Sequence, residues 1–384
     1  MTTLITSRRT RMPRAACAGA VAVALLAACS DGGSAGTSSS SSAASQSGSA
    51  SASESASESA SAELTRSDSL TVVTHDSFNL SDEVKKQFES DTGIKVTYVA
   101  PGDAGTVVNQ LVLTKDAPLG DVVFGVDNTF ASRVETAGVL SAYPGAALPE
   151  SAKAMLADDS RMLTPIDYGD VCVNADKGWF ADKKLDVPAT LDDLAKPAYQ
   201  DLLVVENPAS SSPGLAFLAA TVGAKGENGY LDYWKSLKDN GVKVAKGWTE
   251  AYTGDFSGSS GKGPRPLVVS YATSPAFEVD EGAKESRTVA LLDTCFRQVE
   301  YAGILKGSQN EWGAQKFIDY LLTAGVQADI PGQMYMYPVD SSVELPAEWV
   351  KFAPLATKPI AVDAATIGAN RETWIKDWTA EVLG

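Results

Sequence analysis

The chain has a single histidine, His75, in 384 residues. Metal sites draw three or four ligands from a Cys/His/carboxylate cluster, so one imidazole excludes a histidine-built metal centre. It suggests no Ser-His-Asp arrangement either, because that imidazole directly precedes Asp76. Positive charge is also scarce: 32 Lys and Arg stand against 48 Asp and Glu, a formal net charge of −16. Phosphate backbones need a basic face, so nucleic acid is not the partner, whereas a cationic ligand is compatible. Beyond the N-terminus no run is long and apolar enough to cross a bilayer, which takes about 20 residues. Cysteine is limited to Cys17, Cys29, Cys172 and Cys295.

What is present starts with an export signal. Arg8, Arg9, Arg11 and Arg14 precede an apolar stretch over residues 15–28, the pattern of a secretory leader. Leu26-Ala27-Ala28-Cys29 is similar to the lipobox of bacterial lipoproteins. That similarity implies a signal peptide over 1–28, cleavage before Cys29, and a lipid on its sulfur that holds the protein to the outer face of the cytoplasmic membrane. Residues 29–68 are Ser, Ala, Gly and Glu with almost nothing apolar. Such a segment cannot bury enough surface to offset its ordering entropy and reads as a tether, roughly 35 Å in r.m.s. span.

Cys172 and Cys295 remain in the folded part, an even pair in an exported chain, each in a strand-like run. The expectation is a disulfide, with two free buried thiols as the alternative. Closing so long a loop stabilises by on the order of 4–5 kcal/mol in the chain-entropy model.

From residue 69 the pattern is α/β. Strands are predicted over 70–74, 94–99 and 121–126, separated by helices over 81–90, with Ser81 as N-cap, and 106–113. A β-α-β-α-β opening implies a parallel sheet with ligand at the strand C-termini. Those ends carry His75-Asp76-Ser77, Asp103 and Asp127-Asn128. The pattern restarts near Thr164, with strands at 170–174, 201–206, 242–245, 267–270 and 290–292. A Ser-rich turn over 210–214 leads into a helix, a natural site for an anion or polar group. After Gly303 the chain is mostly helical, and Trp374 and Trp378 form a core-facing i,i+4 stripe. Two α/β lobes with a cleft between them are expected: 69–166 completed by about 296–384, and 167–295. The run Phe256 to Gly263 fails P-loop spacing and reads as a flexible surface loop.

Two segments concentrate aromatic rings beside hydroxyls and small residues: Lys246-Gly247-Trp248-Thr249-Glu250-Ala251-Tyr252 and Ser270-Tyr271-Ala272-Thr273-Ser274-Pro275-Ala276-Phe277. A flat apolar face with a polar tip suits a flat polar ligand, although ring content alone is equally met by core packing.

Together with Thr74-His75-Asp76-Ser77-Phe78, Gly125-Val126-Asp127-Asn128, Asp167-Tyr168-Gly169, Ser211-Ser212-Pro213-Gly214-Leu215 and Met336-Tyr337-Pro338-Val339, taken in order, these segments resemble the thiamine-binding proteins of bacterial ABC importers. The resemblance runs from about Leu70 to Trp378. It implies a type II periplasmic-binding-protein fold whose lobes close on the ligand, with crossover strands at 167–174 and 294–303 that bring Cys172 near Cys295. It implies a monomeric solute-binding lipoprotein, not an enzyme, without a cofactor, that delivers thiamine or a thiamine phosphate to a membrane permease. Trp248 and Tyr271 are the implied ring contacts, with Tyr252 and Tyr335 also in the set. Asp103 is the implied carboxylate, or a helix cap. Ser211 contacts the hydroxyethyl arm or caps its helix. Asp76 and Asp167 are ligand acceptors or hold turn backbone, and Asp127 and Tyr168 complete the set. His75 and Phe277 stand where family members carry Tyr, and the loop after Phe78 lacks a Trp; Phe277 is expected to have drifted toward packing. The alternatives are a same-fold binder of another small cation, pyrimidine or anion, and a thiamine-degrading enzyme. The enzyme would need a Cys nucleophile, which pairing of Cys172 with Cys295 would silence. Ferric binders of related type lean on paired Tyr ligands, which Tyr271 and Tyr335 alone do not supply.

Overall fold

Ten strands form one sheet in the computed structural model, which describes residues 63–384. The signal peptide, Cys29 and most of the tether lie outside the described residues. The strands are β1 (Ser69–Val73), β2 (Lys95–Val99), β3 (Val122–Asp127), β4 (Leu140–Ser141), β5 (Thr164–Asp176), β6 (Leu203–Glu206), β7 (Lys243–Ala245), β8 (Leu267–Tyr271), β9 (Thr288–Leu305) and β10 (Tyr337–Pro338). Their order is β2-β1-β3-β9-β5-β8-β6-β7, with β4 on β9 and β10 on β5.

The order resolves into two parallel trios, β2-β1-β3 and β7-β6-β8, flanking an antiparallel pair, β9 and β5. Both central strands are antiparallel to the trio strand beside them. This is the type II periplasmic-binding-protein arrangement. The expected crossovers lie within β5 and β9, which are long enough to serve both halves of the sheet. Their pairing shifts register between Val171 and Val173, where β9 skips from Phe296 to Leu291. Thr294 Oγ1 accepts the Val173 N–H at 2.9 Å inside that bulge. Cys172 and Cys295, both buried, are disulfide-bonded at the same place.

The helices follow the sequence signals. Ser81 caps helix Asp82–Thr92 by accepting the Val84 N–H, as expected. Helix Ser212–Lys225 is buried from Ser212 to Val222 because its residues are small or apolar on every side. Trp234 and Trp378 meet edge to face at 5.4 Å beneath it, and Trp374 is buried beside them. A second cluster packs Leu70, Val72, Phe124, Phe88 and Phe317 around the first trio.

Two expectations are corrected. The folded body reaches back into the expected tether: Thr65 accepts the Trp312 N–H, Arg66 covers the Trp312 ring, and Asp68 accepts the Lys95 N–H. The 256–263 segment is a surface loop only over 260–262; its start is packed into the fold. Phe256 and Ser259 are buried, and Ser257 Oγ donates to Asp176 Oδ2 at 2.6 Å.

Candidate functional site

The C-terminal ends of the two trios face one cavity of about 330 Å³, within the range of small-molecule sites. From the first trio come His75, Asp76 and Ser77 after β1, and Asp103 after β2. From the second come Ser212 after β6, Trp248 and Tyr252 after β7, Tyr271 at the end of β8, and Thr273, Ser274 and Phe277 after it. Glu300 of β9 and the 333–336 segment complete the lining.

The aromatic wall is held rigidly. Trp248 stacks on Tyr252 at 4.9 Å and 12°. The π-helical turn Glu250–Asp255 brings the two rings into register. Trp248 Nε1 donates to Ser270 Oγ at 2.8 Å, and Tyr252 Oη donates to Glu278 at 3.0 Å. Tyr271 Oη donates to Gln298 at 3.2 Å. Tyr335 adopts φ 56°, a left-handed conformation uncommon for a bulky residue and concentrated at functional sites. Its ring lies edge-on to Phe277 at 4.8 Å and is backed by Trp349. Phe277 did not withdraw into packing: it lines the cavity and is 54 % exposed.

The polar groups are carboxylates. Asp103 caps helix Ala104–Leu113 and accepts three backbone N–H groups, from Ala104 at 2.6 Å, Ser212 at 3.2 Å and Trp248 at 2.9 Å. It therefore caps a helix and borders the cavity at once. Burial raises its pKa, and those hydrogen bonds partly offset the rise. Burial, with the Asp103 charge nearby, also raises Asp76. His75 Nδ1 accepts the Ser77 N–H at 3.2 Å, and its Nε2 lies 3.6 Å from Glu300. Gly125 makes room for this imidazole. A Cβ at Gly125 would fall 2.3 Å from His75 Cδ2, at a φ of +95° that only glycine adopts freely.

Seven of the expected residues thus line one cavity: His75, Asp76, Asp103, Trp248, Tyr252, Tyr271 and Tyr335. Four do not. Asp127 folds back on its own turn, accepting the N–H groups of Thr129 and Phe130. Asp167 is buried behind the lining on β5, opposite Glu300. Tyr168 points away, stacked with Tyr337 and covered by Arg297, which is paired with Asp170. Ser211 is the helix cap, accepting the Gly214 N–H at 3.4 Å. Its neighbour Ser212 reaches the lining instead, with an unpartnered Oγ. The helix start is not a free anion site. Ser212 N–H goes to Asp103, Gly214 N–H to Ser211 Oγ, Leu215 N–H to Ser211 O, and Pro213 has none.

Glu300 went unrecognised from sequence. Its signal is an acid inside the apolar run Val299-Glu300-Tyr301, where burial demands a partner.

The profile described as bacterial extracellular solute-binding protein matches residues 117–357. The chain is 31% identical to the thiamine-binding periplasmic protein of Escherichia coli (strain K12), over 82% of this chain and 93% of that one. A solved structure titled periplasmic thiamin binding protein aligns with TM-score 0.71 and 29% identity, covering 82% and 96% of the two chains. An apo ferric ion-binding protein A of Pasteurella haemolytica shares the fold at TM-score 0.63 and 18% identity, covering 83% and 98%. The chain belongs to the bacterial extracellular solute-binding proteins.

Proposed function

We propose that the protein captures thiamine in this cavity and delivers it to a membrane permease of an ABC importer. One observation carries the reading: the lining combines Trp248, Tyr252, Tyr271, Tyr335 and Phe277 with the carboxylates of Asp76 and Glu300, and among the described residues no Lys or Arg lines it. Thiamine has a permanently cationic thiazolium ring, an aminopyrimidine and a hydroxyethyl arm. Aromatic faces attract the cation by about 0.5–2 kcal/mol each. Carboxylates accept from the amino group, and hydroxyls such as Ser212 Oγ suit the arm.

The spent amides at residues 212–215 favour free thiamine over its phosphates, since an added phosphate would meet the Asp103 carboxylate and no free backbone N–H at the helix start. Ferric iron is disfavoured because the hydroxyls of Tyr252 and Tyr271 are engaged with Glu278 and Gln298. The export leader and a lipid on Cys29 would keep the protein, as a monomer, at the outer face of the cytoplasmic membrane, within reach of its permease.

Isothermal titration with thiamine, thiamine phosphate and the free aminopyrimidine tests the proposal. Thiamine is expected to bind tightest. No heat and no change in melting temperature with any of the three would refute it.

A further inference from the structure

Behind the aromatic wall, β9 carries Glu300 between two other strands. Its register partners are Asp167 on β5 and Asp127 on β3, so three acids occupy adjacent strand positions. All three are buried. Glu300 lines the cavity; Asp167 does not. Neither oxygen of Asp167 receives a hydrogen bond from any N–H or O–H donor among the described residues, and one oxygen of Asp127 is likewise unpartnered. The residue directly opposite Asp167 across the β5–β9 ladder is Glu300, and directly opposed residues of an antiparallel pair face the same side of the sheet. Two carboxylates bond each other only when one carries a proton.

We propose that Asp167 and Glu300 share one proton at the floor of the cleft, and that a permanently cationic ligand enters in exchange for it. Resting on the thiamine reading above, this makes Glu300 the residue that distinguishes a fixed cation from a neutral molecule of similar shape. Charge balance is simple. The empty pair holds one proton and one negative charge. When the cation binds, the proton leaves to solvent, and two carboxylates with one bound cation again sum to a single negative charge. The buried site thus avoids an uncompensated charge in either state.

The other groups around Glu300 fit this role. His75 Nε2 lies 3.6 Å from Glu300 without a hydrogen-bond partner among the described residues, and its Nδ1 accepts from Ser77. Gln298 Nε2 donates to Glu300 Oε1 at 3.2 Å. Tyr271 Oη is taken by Gln298 and stays protonated. Among the described residues no Lys or Arg lines the cavity to neutralise the pair. Burial, reinforced by the neighbouring acid, raises Glu300, and burial pushes Asp167 up to about 7.

The test is titration of the full chain with thiamine near pH 6.5, in buffers of different ionisation enthalpy, which counts protons released. About one proton per thiamine is expected, and none for the neutral aminopyrimidine. Glu300→Gln should abolish the release and weaken thiamine at least tenfold, while changing the pyrimidine less than threefold. Asp167→Asn, away from the cavity, should also abolish the release. His75→Asn should retain it. Thiamine binding without proton release, or release that survives Glu300→Gln and vanishes in His75→Asn, overturns the shared proton alone. Absence of thiamine binding to the unaltered protein overturns the functional reading and this inference with it.

Discussion

Asp103, the cap of a helix in the first half of the fold, accepts the backbone N–H of Trp248 in the second half at 2.9 Å. The same carboxylate takes Ser212 N–H, so two of the three ligand-facing segments of the second half hang on one side chain of the first. Thr106 N–H to Ser210 O and Asn109 Nδ2 to Ala209 O reinforce that contact. Gly105 permits it, since a Cβ there would sit 2.6 Å from the Ser210 backbone. The charge of Asp103 is therefore spent on joining the two halves of the lining. Charge-assisted bonds of this kind contribute roughly 1.5–3 kcal/mol each. Asp103→Asn should weaken thiamine and the neutral aminopyrimidine by similar factors, about tenfold or more. Small-angle scattering should show a more open unliganded form. A loss confined to thiamine would assign Asp103 to the cation instead.

Trp248 presents its ring to the cavity and anchors its indole N–H on Ser270. Trp248→Ala removes both the ring and the platform that orders Tyr252, so thiamine should bind more weakly by more than about 1 kcal/mol. In the unaltered protein, stacking of thiamine on this ring should quench tryptophan fluorescence. Unchanged affinity in the variant would remove Trp248 from the site.

Much of this was legible in the sequence. The trio strands, Ser81 as a cap and the Trp374/Trp378 stripe follow from period and capping chemistry, because each depends on neighbours within a few residues. The aromatic wall was legible because rings directly following short β-runs sit at strand ends, where ligands bind in α/β sheets. The acids were harder. Asp103, Asp127 and Asp167 all lie at strand ends or in crossovers, and whether each faces the cavity, its own turn or another acid depends on turn geometry and strand register. Ser211 and Ser212 differ only in which one caps. Glu300 was hidden because β9 is one strand with a bulge, and only its register against β3 and β5 brings three acids together.

The buried acids also set the pH response. Asp127 is pushed up to about 6 and Asp167 to about 7, in both cases chiefly by burial. Between about pH 4 and pH 7 the folded protein therefore holds more protons at these positions than the unfolded chain, and stability falls as pH rises through that window. Their contribution is fully present below the unfolded pKa of about 4 and is lost above about 7. For Asp167 alone the linkage is on the order of 4 kcal/mol. The unliganded protein should melt at a lower temperature at pH 7.5 than at pH 5, and Asp167→Asn should flatten the difference. A profile as steep in the variant would place the titrating groups elsewhere. Surface acids such as Asp193, held low by Lys196 and turn amides, act in the opposite direction but are common to both proteins.

The disulfide sits where the crossover strands exchange register, joining cysteines 123 positions apart in sequence. Cross-linking so long a loop removes conformational freedom from the unfolded chain worth roughly 4–5 kcal/mol in the chain-entropy model. The Cys172→Ala, Cys295→Ala double variant should lose stability of that order in urea unfolding, while native packing around the buried pair, including Ala272 and Ala356, stays apolar. Labelling of the denatured, unreduced protein should find no reactive thiol at either position. The bond also pins the β9 bulge, through which the two halves are joined. The double variant is therefore expected to retain thiamine binding at low temperature but to lose it on warming before the unaltered protein does. Two reactive thiols, or an unfolding midpoint unchanged in the double variant, would contradict the bond's place in the folded protein.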